Sequence, residues 1–382
     1  MDSHIIKFKS DWPLSLLLYE VQLRIKRVLI HKLEREGLWP CTKEYNQFMK
    51  RQKELGDYLI SNTFNNVFGD NDYNHVFLNS EFRFGGSNTL VKKRLPYVAS
   101  FGYEIGLMIS NLINGKNKKN IHQASEMCSV FNVGIAIFDY IHDEEPDLFG
   151  QFKNIFNEDT LGRLSTDKQT CECMLIDCKN ISSAELRLLS KIIVWFFLRL
   201  HTYYNQSEKK TWKKLNYSII SAYLAEINSS QQAVNTKKDS LITSRKKSTL
   251  PFLIIYFVVW IISNIPRKKI GKAHSVYYVC KKIGEIFWYT DDLIDLLKDL
   301  ESNHLNSILC RIYNQINIKG ESDEKYHLLI ELLNHSHIEK IINQLNLKIT
   351  SLLHSLEINN FREEDVTMVR NILLCFVRNW TE

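Results

Sequence analysis

Two aspartate clusters are the strongest chemical features of this sequence. The first runs Phe138-Asp139-Tyr140-Ile141-His142-Asp143-Glu144-Glu145-Pro146-Asp147; the second runs Asp291-Asp292-Leu293-Ile294-Asp295 and continues to Asp299. In each, acids recur every four residues, at 139, 143 and 147 and at 291, 295 and 299. Residues four apart stack along one side of an α-helix. A solvated acidic stripe normally finds Lys or Arg one turn on. Here the residues four after Asp291, Asp292, Asp295 and Asp299 are Asp295, Leu296, Asp299 and Asn303, and Lys298 is the one local cation in reach. Stacked like charges cost free energy unless a cation sits between them. Oxygen donors with nothing soft nearby suit Mg²⁺, several ions with Mn²⁺ as a substitute. The expected metal ligands are Asp143, Glu144, Asp147, Asp291, Asp295 and Asp299. Two such helices facing each other would clamp a diphosphate between ions. Asp139 lies on the same stripe, as a further ligand or a residue of the cavity wall. His142 reads as structural, since magnesium rarely takes imidazole.

Helices must position these acids. With only 14 Gly and 6 Pro in 382 residues, the chain has too few turn-formers for a sandwich, barrel or propeller. Apolar residues recur at helical spacing over 16–36, 97–112, 121–143, 184–204, 212–228, 250–264, 273–300 and 363–380, with further helices over 304–317 and 326–356. Residues 68–88 read as a polar loop, and 146–170 as a loop with short helical pieces. Pro146 puts Asp147 just past a kink. No stretch reads as a strand. The expected fold is all-α: one large helical bundle over residues 1–382 around a central apolar cavity, with 1–90 a less defined helical extension.

The charge excess of +6 is small and spread along the chain, unlike the dense stripe of a nucleic-acid binder, and suits a small anionic substrate. The apolar run Leu250–Ile262 falls short of a bilayer span and reads as a core helix, so no transmembrane segment is expected. The eight cysteines include no CxxC pair, and the N-terminus lacks an apolar leader. Together these point to a reducing cytoplasm.

Gly284-Glu285-Ile286-Phe287-Trp288-Tyr289-Thr290-Asp291-Asp292-Leu293-Ile294-Asp295 resembles the second aspartate-rich motif of the trans-polyprenyl diphosphate synthases, GxxFQxxDDxxD, with Trp288 in place of Gln. His142-Asp143-Glu144-Glu145-Pro146-Asp147 resembles their first motif, HDDxxD. Lys247-Ser248-Thr249 is similar to their KT motif, Gln232-Ala233-Val234-Asn235 loosely to GQxxD, and Lys93-Arg94-Leu95-Pro96 to a basic KRLRP segment lacking one arginine. The order along the chain agrees. The arginine pair that follows the first motif in chain-elongating enzymes is missing, Arg163 being the first arginine after it. Both losses weaken the case for a second diphosphate. The class I terpene cyclases, which share that fold and its first chemical step, are also similar. Their second motif has ligands at the spacing of Asp291, Asp295 and Asp299, and Arg245 stands where they carry a diphosphate-sensing arginine.

The resemblance implies a class I terpene synthase, a lyase that ionises a linear prenyl diphosphate. The acids would hold magnesium. Arg245, Lys246 and Lys247, with Lys93 and Arg94, would bind the diphosphate, Asp143, Asp291 and Arg245 being the catalytic set. Phe138, Asp139, Gln232, Phe287 and Trp288 would line the cavity, Phe287 reading more simply as packing. Arg378 reads as a solvated arginine. The alternatives are a prenyltransferase condensing an allylic diphosphate with isopentenyl diphosphate or another acceptor, and a non-catalytic subunit that keeps the fold. Homodimers are common among such enzymes.

Overall fold

The computed structural model describes residues 14–68, 90–113, 117–204, 209–231, 237–263, 270–302, 306–309 and 335–381. Among them every regular element is a helix, as the composition requires. In chain order they are α1 (Leu14–Arg35), α2 (Thr42–Tyr58, prolonged by a π-helical turn at Leu59–Phe64 and a last turn at Asn65–Phe68), α3 (Leu90–Leu112), α4 (Lys118–Glu144), α5 (Pro146–Ile155), α6 (Glu158–Thr166), α7 (Lys168–Asp177), α8 (Ala184–His201), α9 (Lys209–Gln231), α10 (Lys237–Ser263), α11 (Ile270–Ile294), α12 (Leu296–Ser302), α13 (His335–Ile358) and α14 (Glu363–Thr381). Residues 69–88 of the expected polar loop, Gln232, most of the expected helix at 304–317 and the first part, 326–334, of that at 326–356 lie outside the described residues.

Helix α10 is the hub. It packs against α3, α4, α9 and α11, and Phe252 to Val259, Ile261 and Ile262 are all buried. A helix apolar on every side is a core helix. By length and composition alone, 118–143 and 241–263 could each cross a membrane, but more than half of each apolar window is buried inside the bundle.

Two glycines let helices close up. A Cβ on Gly102 would lie 2.5 Å from the Cys128 carbonyl oxygen on α4, and one on Gly284 would lie 2.7 Å from Thr249 Cα on α10. The glycine that opens the second acidic motif is therefore a contact point between α10 and α11.

Two helices begin earlier than the 97 and 250 that the apolar spacing predicts. Pro96 and Pro251 both lie inside helices, so α3 begins at Leu90 and α10 at Lys237. Pro251 cannot donate to the carbonyl four residues back, and Thr249 Oγ1 donates to the Arg245 carbonyl at 2.7 Å beside the gap. The basic run 245–247 is thereby helical and belongs to α10. Pro146 behaves as expected: α4 stops at Glu144 and Pro146 occupies the first turn of α5, where its missing N–H costs nothing.

Candidate active site

The first acidic row lies on the last two turns of α4. Asn117 starts this helix, its side chain accepting from the backbone N–H of Lys119 at 3.0 Å. Val133, Ile137 and Ile141 bury one face, and Asp139 and Asp143 occupy another. Asp143 is 60% exposed and bonded to His142 Nδ1 at 2.8 Å. His142 is itself buried, stacked on Phe138 and edge-on to Phe149. Asp147 sits exposed in the first turn of α5. Only the helix position of Glu144 is described.

The second row lies where α11 passes into α12. The helix bends at Asp295, yet the bonds from Asp295 N to Asp291 O (2.9 Å) and from Asp299 N to Asp295 O (2.8 Å) continue across the bend. Asp291 has an open edge to solvent; Asp292 turns inward and is buried. Asp292 accepts from the Ser307 backbone N–H at 3.1 Å. Asn306, also buried, donates to the Asp292 carbonyl at 2.6 Å and to Asp299 Oδ2 at 2.9 Å. Its own Oδ1 accepts from Ile308 N at 3.0 Å, capping the next helical turn.

The rows are in electrostatic reach of each other. Burial, Glu226, Asp143 and Asp291 push the Asp139 carboxyl up to about 8, with Lys247 opposing. Crowding by protein, Asp295 and Asp299 raise Asp291 to about 6 against the pull of Lys247 and Lys298. Burial lifts Asp292 to about 7 despite its bond from Ser307. Asp143 goes the other way: the His142 bond, then Lys247 and Lys298, hold it below the usual carboxylate range in spite of burial. The nearby cations are lysines, with no arginine among the groups that shift these carboxylates.

One acid escaped the sequence reading. Glu226, buried on α9, grips Lys247 Nζ at 2.7 Å and lies 3.8 Å from His142 Nδ1. No motif marks it. Its signal was a carboxylate in register with Leu215 and Ala222 on an apolar stripe.

The basic residues separate. Lys247 faces the acids. Burial would lower its pKa, but Glu226 and Asp139 raise it above the ordinary lysine value. Arg245, two residues earlier, pairs instead with Glu285 on α11, joined by Lys282 at 3.5 Å and Lys348 at 3.9 Å. Residues two apart on a helix point in nearly opposite directions. Burial pushes the Glu285 carboxyl up, but Arg245 and the two lysines hold it below the usual range. Lys246 and Arg94 are exposed, and of Lys93 only the helix position is described. Arg378 is buried, not solvated: it donates to the Pro40 carbonyl at 2.7 Å and lies over the Tyr45 ring.

The expected apolar hollow is filled beneath Asp291. Phe287, one turn below on the same face, meets Phe252 at 5.3 Å, Phe101 at 5.5 Å and Trp380 at 4.8 Å between ring centroids. Phe287 is a packing residue here. Trp288 donates to Ser244 Oγ at 2.9 Å, tying α11 to α10. Phe138 packs on Phe152 at 5.1 Å. A cavity of about 220 Å³ lies elsewhere, lined by Thr63, Gln123, Glu126, Trp195 and Arg199 among others.

Among the described residues, no three acidic, His or Cys side chains converge into a preformed metal cage. The donors still fit Mg²⁺, which takes one or two carboxylates, keeps several waters and does without an all-protein cage. A carboxyl raised by burial and by neighbouring acids, as Asp291 is by Asp295 and Asp299, is one whose charged form a divalent ion would favour.

No known family matches the sequence, and no curated protein matches it. Among solved structures, the linalool/nerolidol synthase of Streptomyces clavuligerus, determined with 2-fluorogeranyl diphosphate, is similar over 75% of this chain and 86% of that one, at 11% identity and a TM-score of 0.35. A likeness so distant leaves the chemistry to the residues themselves.

Proposed function

We propose that this chain is a magnesium-dependent class I terpene synthase, ionising a linear prenyl diphosphate and releasing diphosphate. The supporting observation is the pairing of two acidic rows from separate helices, with Asp139 in the field of Asp291 and with Lys247 and Lys298 acting on both Asp143 and Asp291. Divalent ions, when bound, neutralise and polarise the leaving diphosphate. Asp143, with Glu144 and Asp147 on its side and Asp291, Asp295 and Asp299 opposite, supplies the oxygen ligands. Lys247 and Lys298 lie beside the same carboxylates and add positive charge where the C–O bond breaks. Preplaced charge of this kind favours the separated state over the intact ester. Cyclisation or quenching of the resulting carbocation completes the reaction. The free thiols suit a reducing cytoplasm.

Incubation with geranyl, farnesyl and geranylgeranyl diphosphates plus Mg²⁺ should yield hydrocarbons or alcohols by gas chromatography. No product from any of the three overturns the proposal. One observation favours a second reading, a prenyltransferase. Arg245, the residue that pointed to a cyclase, is engaged by Glu285. In that case product forms only when isopentenyl diphosphate or another acceptor is added, and the chain lengthens.

A further inference from the structure

Lys247 occupies an unusual position. Its ammonium group is 2.7 Å from Glu226 on α9, and its side chain is still 39% exposed. Its charge acts on Asp139 and Asp143 of the first row and on Asp291 of the second. It is thus a monovalent cation resting at the edge of the gap in which divalent ions would sit. A lysine has a flexible four-carbon stem and a compact charge. Rotation about that stem would carry the ammonium group toward either row. Glu226 cannot follow, because it is buried on its own helix beside His142.

We propose that Glu226 is a positioning residue that tethers Lys247 to α9, keeping the ammonium group out of the gap between the rows and leaving that gap open to divalent cations. The inference rests on the reading of the two rows as a metal site. Without the Glu226 charge, Lys247 swings to Asp139, Asp143 or Asp291 and competes with the metal as an internal counter-ion. Releasing diphosphate calls for the opposite state, both kinds of cation present at once, and the tether makes that state available.

The test is a double-mutant cycle read by Mn²⁺ binding to the metal-free full-length protein, with no substrate present. Loss of the free Mn²⁺ electron paramagnetic resonance signal reports binding, and circular dichroism reports folding. Glu226→Gln should weaken binding by about tenfold. Lys247→Met alone removes the repulsion of a tethered ammonium group and should strengthen it only slightly, far less than it does in the Glu226→Gln background. Lys247→Met added to Glu226→Gln should restore the lost affinity, because no freed ammonium group remains. Equal effects of Lys247→Met in both backgrounds overturn the tether, since Glu226 would then act only by its own charge or through the fold. If Glu226→Gln does not fold, Glu226→Asp, which keeps the charge but retracts it, must weaken binding and Lys247→Met must undo the loss; unchanged binding in Glu226→Asp overturns the proposal. Wild-type protein that binds no Mn²⁺ sinks the metal-site reading itself, an outcome distinct from additivity in the cycle.

Discussion

The first acidic row finishes a helix, whereas the second bends within one. Asp143 lies at the free end of α4, one residue before the stop at Glu144, and its carboxylate is fixed by a buried histidine. The second row runs through the Asp295 bend with backbone bonds intact, and burial, with Asp295 and Asp299 nearby, raises the Asp291 carboxyl. Asp143 is thus held ionised by its neighbours, while Asp291 is pushed toward its neutral form by burial and by nearby acids whose repulsion an outside cation can offset. On the proposed metal-site reading the difference gives unequal duties: Asp143 as a standing anchor, Asp291 as the group whose charge state follows the ion.

The largest test of that asymmetry is catalytic. Asp143→Asn and Asp291→Asn should each lower product formation by about a hundredfold or more. Excess Mg²⁺ should partly rescue the first, which loses an anchor, and not the second. Equal rescue of both would erase the distinction. Next comes the floor under Asp291. Phe287→Ala removes a ring packed on three others and should cost about 3–5 kcal/mol by chemical denaturation, leaving a cavity. The corresponding change under the first row, Phe138→Ala, should cost less, since Phe138 is only half-buried.

Asn306→Ala strips the second row alone of its brace. It should cost about 2 kcal/mol through the lost cap and hydrogen bonds, leaving His142 and Asp143 untouched. The smallest effect is on pH dependence. Asp139, Asp291 and Asp292 have folded-state pKa values near 8, 6 and 7, above the ordinary 3.8. The folded chain keeps protons that the unfolded chain has already released. Their contribution to stability is therefore full below the unfolded value and fades as pH climbs through the folded ones. Asp143, lowered, contributes in the opposite sense: its share is present above the ordinary value and disappears as pH falls. Metal-free protein should accordingly lose Tm between about pH 5 and about pH 9. Asp139→Asn should flatten that fall, and added Mg²⁺ should reverse part of it.

Much of this was legible in the residues. Period-3.6 patterning located most of the long helices because each buries a continuous apolar face, though not α2, which is rich in charged and polar residues, and the four-residue spacing of the acids predicted which would share a side. Asp292, off that spacing, is indeed the one that turns inward. Spacing along one chain says nothing of what lies across from it. Arg245 and Lys247 looked interchangeable in sequence, yet their opposite directions on α10 send one to Glu285 and the other to the acids. That outcome depended on carrying the helix back from 250 over the polar run 237–249, where no apolar spacing marks it. Glu226 needed its neighbours on α4 and α10 before its burial made sense. The filled floor follows from Phe101, Phe252 and Trp380 arriving from three different helices, which no local pattern foretells.

Gly284 gives the last of these contacts a reach beyond packing. Because α10 touches α11 at a residue with no side chain, the helix that carries Lys247 and the one that carries Asp291 run close together there. A methyl group at that point would meet Thr249 Cα and force the two helices apart, moving Lys247 relative to Asp291 though no acid or lysine had changed.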